Sequence, residues 1–407
     1  MSSVPEEETR KRRQVPLAIP ALHGNELSYL QRCLNEGWIS SFGPYVGQFE
    51  RAFAEFLGIR HAVATMNGTA ALHVALRISG VGHGDAVLVP SLTFVGTVNP
   101  ILYCGAAPIF MDSEPVTGTL DVDKLISYLK EGTRYDLSQH CFVDRGTGWR
   151  LKAIVPVALY GHPVDMDPVL ELAEAYGLVV IEDAAEALGA RYKGRRVGTL
   201  GRIGCFSFNG NKIITTGGGG MLVTDDQKLA DRAMYLVNQA RDDEVEYVHH
   251  EVGYNYRLTN LQAALGLAQL EFLEEHLSAK RRIAREYSRR LDGVPGIVAK
   301  AAEASWAESS FWLYWILLDL GCRLSKHDIL RRLRDRGVEA RPFFTPVHTL
   351  PPYACYPGYC LEVAERLHAS GINLPSSVGL SEADVEYVCA VLVETLVGRS
   401  SKRIFGL

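Results

Sequence analysis

Among eight cysteines the 407-residue chain has no CxxC pair. Cys33, Cys104, Cys141, Cys205, Cys322, Cys355, Cys360 and Cys389 are scattered, which argues against both a structural zinc site and a disulfide framework. Reduced thiols in a cytoplasmic protein without a metal are the expectation. No apolar run reaches the roughly 20 residues that cross a bilayer, so no membrane is expected as partner. Positive charge is not in surplus either. Lys and Arg number 42 against 47 Asp and Glu, a net charge of −5, which leaves no electrostatic footprint for nucleic acid. Four consecutive glycines, Gly217 to Gly220, lack the Lys-Ser ending of a nucleotide loop, and no GxGxxG opens a helix after the first strand. Internal repeats and low-complexity segments are absent. Residues 1–14 are charged and lack an apolar core, so they read as a solvated, disordered tail rather than a secretory signal; the basic run Arg10–Arg13 stands close to Glu6, Glu7 and Glu8.

What is present is a folded composition, 47% hydrophobic and 22% charged, in a chain too long for one ordinary core. Short apolar runs at His61–Thr65, Ala86–Val89, Pro108–Met111, Ala153–Ala158, Leu178–Ile181, Gly204–Phe208 and Met221–Thr224 read as strands buried on both faces. Helical stretches at Thr69–Ile78, Val122–Lys130 and Pro168–Tyr176 lie between them. That alternation predicts an α/β domain with a mainly parallel central sheet. Tyr135–Trp149 reads as a polar excursion. A continuous helical pattern from Gln262 to Leu291 leads into a strand at Trp312–Leu318 and helices at Lys326–Arg336 and Glu382–Leu396, a smaller α+β domain. The expected division is a large domain over 15–275 and a small one over 276–407.

Three positions fall just after predicted strands, on the edge where open α/β sheets bind ligands. Lys212 closes Ser207-Phe208-Asn209-Gly210-Asn211-Lys212 and precedes the glycine run. A lysine taken singly is usually a solvated surface charge; an apolar strand before it and glycines after it predict a partly desolvated amine, a competent nucleophile toward a carbonyl. Asp183 ends the run Leu178–Ile181 with Glu182, where an unpaired carboxylate is costly to bury. It reads equally as an N-cap for a following helix or as partner of a buried cation, with Glu186 three residues on facing the same space. Asn67-Gly68-Thr69 precedes a strong helix former, so the free amides of Gly68 and Thr69 can receive an anion, and Ser207 can add a hydroxyl. A plain cap, with Thr69 as a good capping residue, is the structural alternative. Lysine, strand-end carboxylate and anion-receiving turn are together the fixtures of a pyridoxal phosphate site: the lysine forms a Schiff base, the carboxylate keeps the pyridine nitrogen protonated and the turn receives the phosphate.

With these residues assembled, the chain resembles the DegT/DnrJ/EryC1/StrS family of pyridoxal phosphate-dependent sugar aminotransferases. The resemblance runs from about Val15 to about residue 395. It is carried by Gly37-Trp38-Ile39-Ser40-Ser41, Asn67-Gly68-Thr69-Ala70-Ala71-Leu72, Pro90-Ser91-Leu92-Thr93-Phe94, Tyr160-Gly161-His162-Pro163, Glu182-Asp183-Ala184-Ala185-Glu186, Ser207–Lys212, Gly253-Tyr254-Asn255-Tyr256-Arg257 and Arg341–His348. It implies the aspartate-aminotransferase-like fold (fold type I) and a homodimer with shared active sites. It casts Lys212 as the Schiff-base lysine, Asp183 as the pyridinium partner, and Phe94 as the residue stacked on the ring. Gly68, Thr69 and Ser207 hold the phosphate, Asn255 reaches the phosphate of the neighbouring subunit's cofactor, and Arg257 and His348 line the pocket for donor or sugar. Glu186 stands where many relatives carry Gln or His, which weakens its expected bond to the ring oxygen.

Asn209–Gly220 is most similar to the branch that aminates 4-keto-6-deoxy sugars on the bacillosamine and legionaminic acid routes. The implied reaction is transamination of a UDP-linked 4-keto-6-deoxy-N-acetylhexosamine to its 4-amino form, with L-glutamate as donor. GDP-perosamine synthesis and a dTDP-sugar aminotransferase are the alternatives within the family. A sugar 3-dehydratase of the same scaffold is disfavoured because those relatives replace the lysine by histidine. A non-catalytic regulatory member is disfavoured by the joint presence of Lys212, Asp183, Ser207 and Asn255.

Overall fold

His61–Thr65 (β1), Asp85–Pro90 (β2), Ala107–Met111 (β3), Arg150–Ile154 (β4), Val179–Asp183 (β5), Ile203–Ser207 (β6) and Gly220–Thr224 (β7) form the body of one sheet in the order β1-β7-β6-β5-β4-β2-β3. The structure is a computed structural model and describes residues 13–243 and 245–398. From β6 to β3 every pairing is parallel, whereas β7 is antiparallel to both β1 and β6. Helices Glu26–Glu36 (α1), Pro44–Leu57 (α2), Gly68–Ile78 (α3), Val95–Tyr103 (α4), Val122–Glu131 (α5), Met166–Tyr176 (α6), Gln227–Val237 (α7), Asn260–Leu270 (α8) and Leu273–Arg290 (α9) accompany it. Period-two alternation sorts the core. On β2, Val87 and Val89 pack with α3, α4 and α7, while Ala86 and Leu88 pack with α5 and α6. Both faces are covered, which is why β2, β3 and β7 are buried at every residue.

A second sheet holds Ile297–Lys300 (β8), Tyr314–Leu318 (β9), Arg341–Pro342 (β10) and Gly371–Leu374 (β11) in the antiparallel order β8-β9-β11-β10. Lys326–Asp335 (α10), Glu362–Ser370 (α11) and Glu382–Val397 (α12) complete this part of the chain. Segments from beyond α9 also pair elsewhere in the chain. Gly358–Tyr359 pairs in parallel with β3, Ala307–Glu308 pairs with Arg191–Tyr192, and Val15 pairs with Val338. The expected division at 275/276 falls inside α9.

Four expectations change on contact with the structure. Tyr135–Trp149, expected as a polar excursion, carries regular structure: Thr133–Asp136 and Cys141–Asp144 pair as a hairpin. The strand expected over Ala153–Ala158 ends at Ile154, because Pro156 has no N–H to give the ladder. The helical pattern Gln262–Leu291 breaks between Leu270 and Leu273 without a glycine or proline. Tertiary contacts hold the break: the Glu271 carboxylate accepts from Tyr29 (2.6 Å) and Asn25 (2.7 Å) on the first turn of the chain's first helix. The tail expected over 1–14 lies outside the described residues except for Arg13 and Gln14, and Arg13 is anchored, donating to Asp384 at 2.5 Å and stacking over Tyr387.

Local rules set the helix ends. Asn67 caps α3 by accepting from the Ala70 amide (2.8 Å), and Thr259 and Gln262 form a reciprocal capping box on α8. Asn260, fully buried, joins α8 to the chain around α2: its amide oxygen accepts from Tyr45 N–H (2.9 Å) and its NH2 donates to the Trp38 carbonyl (2.8 Å). Asn260→Ala strands both backbone groups, each worth about 1–3 kcal/mol. We expect urea denaturation to show a loss of about 2–5 kcal/mol, against less than about 1 kcal/mol for Asn25→Ala on the exposed surface.

Candidate active site

A cavity of about 240 Å³ opens at the carboxyl edge of the large sheet. Its walls include Gly68, Thr69, Phe94, Thr97, Asp183, Glu186, Ser207, Lys212, Trp312 and Phe344. Seven of the ten residues singled out from the sequence (Gly68, Thr69, Phe94, Asp183, Glu186, Ser207 and Lys212) therefore meet at one place. Topology brings them there. The strands β1, β5 and β6 run in the same direction, and each residue leaves the sheet at or just beyond a strand's end.

Lys212 sits in a loop that folds back on its own strand. Phe208 N–H donates to Gly219 O (2.8 Å), Thr216 N–H to Phe208 O (3.0 Å), and Lys212 N–H to Asn209 O (2.9 Å). The glycine run answers two constraints. Gly217 has φ +78°, and a Cβ on Gly220 would lie 2.5 Å from the Asn67 carbonyl, against the cap of α3. The Lys212 side chain is 13% exposed; its Nζ lies 3.5 Å from Glu186 Oε1 and 3.8 Å from the centre of the Trp312 ring.

Adjacent carboxylates on β5 point to opposite sides, as alternation requires. Glu182 accepts three backbone N–H groups, from Gly198 (2.7 Å), Leu200 (2.6 Å) and Gly201 (2.7 Å), and so holds a loop away from the cavity. Asp183 faces the cavity. Its Oδ2 accepts from Thr97 Oγ1 at 2.7 Å and its Oδ1 from Ala185 N–H at 3.1 Å. Burial pushes the Asp183 carboxyl above the usual range, while Thr97, Ala185 and the charge of Lys212 pull it back. Glu186 is likewise pushed up by burial and pulled down by Lys212 and by the Tyr160 amide, which donates to it at 2.8 Å. No helix follows Asp183: residues 184–190 form turns, so the N-cap alternative has no helix to cap. Thr69 is not the cap of α3 either; Asn67 holds that position and leaves Thr69 free to face the cavity.

The anion-receiving end is open. Gly68 and Thr69 are the first two residues of α3, so their amides have no carbonyl four residues back. A Cβ on Gly68 would come within 2.9 Å of Ser207 Cβ, which places the Ser207 hydroxyl beside those amides. Phe94 lies 5.8 Å from Phe344, and Phe344 stacks on Tyr160 at 5.3 Å.

Asn255, Arg257 and His348 do not line this cavity within the single chain. Asn255 bridges to Asn238, and Arg257 bridges to Thr65 with its guanidinium 5.1 Å from the exposed Phe42 ring. His348 lies between Ser91 Oγ (2.6 Å from Nδ1) and Glu365 Oε1 (3.1 Å from Nε2). That row has the order of a hydrolase triad, but Ser91 is fully buried and lines no part of the cavity, so it ties the segment before Phe94 to α11 rather than attacking a substrate. Thr97, Tyr160, Trp312 and Phe344 were not singled out from sequence. A threonine three residues after Phe94 and an indole at the start of an apolar run carry no signal of their own until the fold sets them beside Asp183 and Lys212.

The aminotransferase model of the DegT/DnrJ/EryC1/StrS family matches residues 20–393. The GDP-perosamine synthase of Caulobacter vibrioides is 44% identical over 94% of this chain and 99% of its own, and that of Escherichia coli O157:H7 is 41% identical over 93% and 98%. The aminotransferase TlmJ of Streptoalloteichus hindustanus has a solved structure that covers 95% of this chain and 99% of its own, with 31% identity and a TM-score of 0.85. The chain belongs to the DegT/DnrJ/EryC1/StrS aminotransferase family, with that family's α/β fold, and is a sugar aminotransferase whose cofactor is pyridoxal phosphate.

Proposed function

We propose that this enzyme transfers the amino group of L-glutamate to C4 of a GDP-linked 4-keto-6-deoxyhexose, with Lys212 as the amine that bonds the cofactor and carries the proton. The convergence of Lys212, Asp183 and the open end of α3 on one cavity is the observation that carries it. The donor set fits pyridoxal phosphate. Unpaired amides at Gly68 and Thr69 with the Ser207 hydroxyl suit its phosphate, the buried Asp183 suits its pyridine nitrogen, and Phe94 suits a ring face. Bound there, the cofactor supplies an aldehyde and an electron sink for the carbon that loses a proton. Asp183 keeps the ring nitrogen protonated, and Thr97 fixes the rotamer that does so. Lys212 would take the proton from the donor's α-carbon and deliver it to the cofactor within the first half-reaction, and would run the same transfer in reverse toward the sugar C4 in the second. Glu186, 3.5 Å away, holds the position of that amine in the cavity. Phe94, Phe344 and Trp312 form the apolar wall that excludes water from these transfers.

Two variants separate binding from chemistry. Lys212→Ala is expected to bind the cofactor through phosphate and ring contacts but to show no turnover; near-normal amination would overturn the assignment. Asp183→Asn keeps the shape of the site and loses the charge, and we expect kcat to fall about 10⁴-fold, by analogy with the loss when a triad carboxylate becomes an amide.

We propose a homodimer with shared sites, because Asn255 and Arg257 lie off the single chain's cavity and Trp38, Ile39, Phe42 and Phe94 leave apolar rings and chains exposed. Mixing Lys212→Ala with Arg257→Ala subunits should then restore one intact site per mixed dimer. Activity that stays absent after proven subunit exchange would contradict the shared site.

A GDP carrier, one of the alternatives within the family, is favoured over UDP because a relative 44% identical over nearly the whole chain is a GDP-perosamine synthase. A site that hydrogen-bonds one base edge rejects the other, since its buried polar groups would go unpaired. In competition between GDP-4-keto-6-deoxymannose and UDP-4-keto-6-deoxy-N-acetylglucosamine, product mass should therefore show a kcat/KM preference for the GDP sugar of about 10²-fold or more. Preference for the UDP sugar would return the enzyme to the bacillosamine-like branch.

A further inference from the structure

We propose that Trp312, held by Lys280 of α9, is a positioning residue that sets Lys212 in its reactive place, with His276 one turn earlier on α9 holding the other flank of the same loop. This rests on Lys212 being the reacting amine. Trp312 touches the loop twice. Its indole N–H donates to the carbonyl of Asn211 at 2.7 Å, and its ring face lies 3.8 Å from Lys212 Nζ. His276 is fully buried, and its Nδ1 lies 3.2 Å from the carbonyl of Ile213, so Nδ1 carries the proton and donates. The residues on either side of Lys212 are thereby fixed by side chains from outside the loop.

Trp312 is in turn held from behind. Lys280 is 3% exposed and donates from Nζ to the carbonyls of Trp312 (2.9 Å) and Ser376 (2.5 Å). Among the described residues those carbonyls are its hydrogen-bond partners, and no carboxylate pairs with it. Burial pulls its amine down to about 7. A buried amine without a counter-charge is an expensive way to stabilise a helix. It is well suited to fixing two chain segments at once, because a single nitrogen donates to both carbonyls. Trp312 and Ser376 flank β9 and β11, so Lys280 couples the second sheet to the loop that carries Lys212. Misplacing a reacting group by about 1 Å costs on the order of 10²-fold in rate, and this arrangement removes that freedom.

The test uses full-length apoprotein and two probes. Pyridoxine phosphate, which lacks the aldehyde, reports the pocket alone. Pyridoxal phosphate reports capture of its aldehyde carbon by the Lys212 amine with loss of one water, followed as growth of visible absorbance. Trp312→Leu removes both contacts, Trp312→Phe removes only the N–H donor, and Lys280→Met removes the anchor behind the ring. We expect pyridoxine phosphate to bind Lys280→Met within about twofold of wild type, and to bind the two Trp312 variants with a loss that is smaller than their loss in aldehyde capture. Aldehyde capture should slow about tenfold or more in Trp312→Leu and by a smaller factor in Trp312→Phe and Lys280→Met. Capture by Trp312→Leu at the wild-type rate would overturn the proposal. So would equal losses of both probes in Trp312→Leu and Trp312→Phe, which would make Trp312 a wall of the pocket and nothing more. Capture that persists in Lys212→Ala would instead overturn the role of Lys212.

Discussion

Three carboxylates, Glu182, Asp183 and Glu186, are taken out of water at the carboxyl edge of one sheet beside the partly buried Lys212, and much of the surrounding structure is arranged to make that tolerable. Each buried ion costs several kcal/mol unless hydrogen bonds or an opposite charge compensate it. Glu182 is compensated by three backbone amides, Asp183 by Thr97 and the Ala185 amide, and Glu186 by Tyr160 and Lys212. These requirements reach into the backbone. Tyr160 takes a left-handed conformation, φ 52°, in the turn whose amide meets Glu186, and Gly198 (φ 90°) turns its N–H to Glu182. In the placement proposed for the cofactor, its pyridinium nitrogen would meet a carboxylate whose burial is compensated and whose orientation is set.

The second sheet is part of this arrangement. Trp312 and Phe344 come from the chain beyond α9 and form the apolar side of a cavity whose polar groups come from the large sheet. Gly358–Tyr359, paired with β3, ties the chain beyond α9 to the large sheet, and Val15, paired with Val338, ties the start of the described chain to the segment after α10. Geometry at Lys212 therefore depends on residues a hundred positions away.

The sheet was legible in the sequence because buried parallel strands are nearly continuous apolar runs, and all seven predicted runs overlap strands of the large sheet. The site was legible where the chain itself carries the message: a polar residue ending an apolar run, as at Asp183, or small residues opening a helix, as at Gly68 and Thr69. Lys212 was legible through its flanking glycines. Contacts made by ordinary residues across long separations were not. Thr97 reaches Asp183 over 86 positions and Trp312 reaches Asn211 over 101, and no periodicity marks either. The break between α8 and α9 was hidden for the same reason, since Tyr29 and Asn25 hold it from the other end of the chain. His348 stands apart from these. A motif pointed to the pocket, and within the chain its ring is committed to Ser91 and Glu365.

Identity of the reacting amine is the claim on which the mechanism and the further inference both stand. The most direct measurement is reduction of the pyridoxal phosphate-loaded enzyme with borohydride, which adds hydride across the bond between cofactor and lysine and makes it permanent, followed by peptide mass mapping. The account predicts one phosphopyridoxyl group per chain, on the peptide containing Lys212. A label on Lys280 or any other lysine, with Lys212 unmodified, would contradict it.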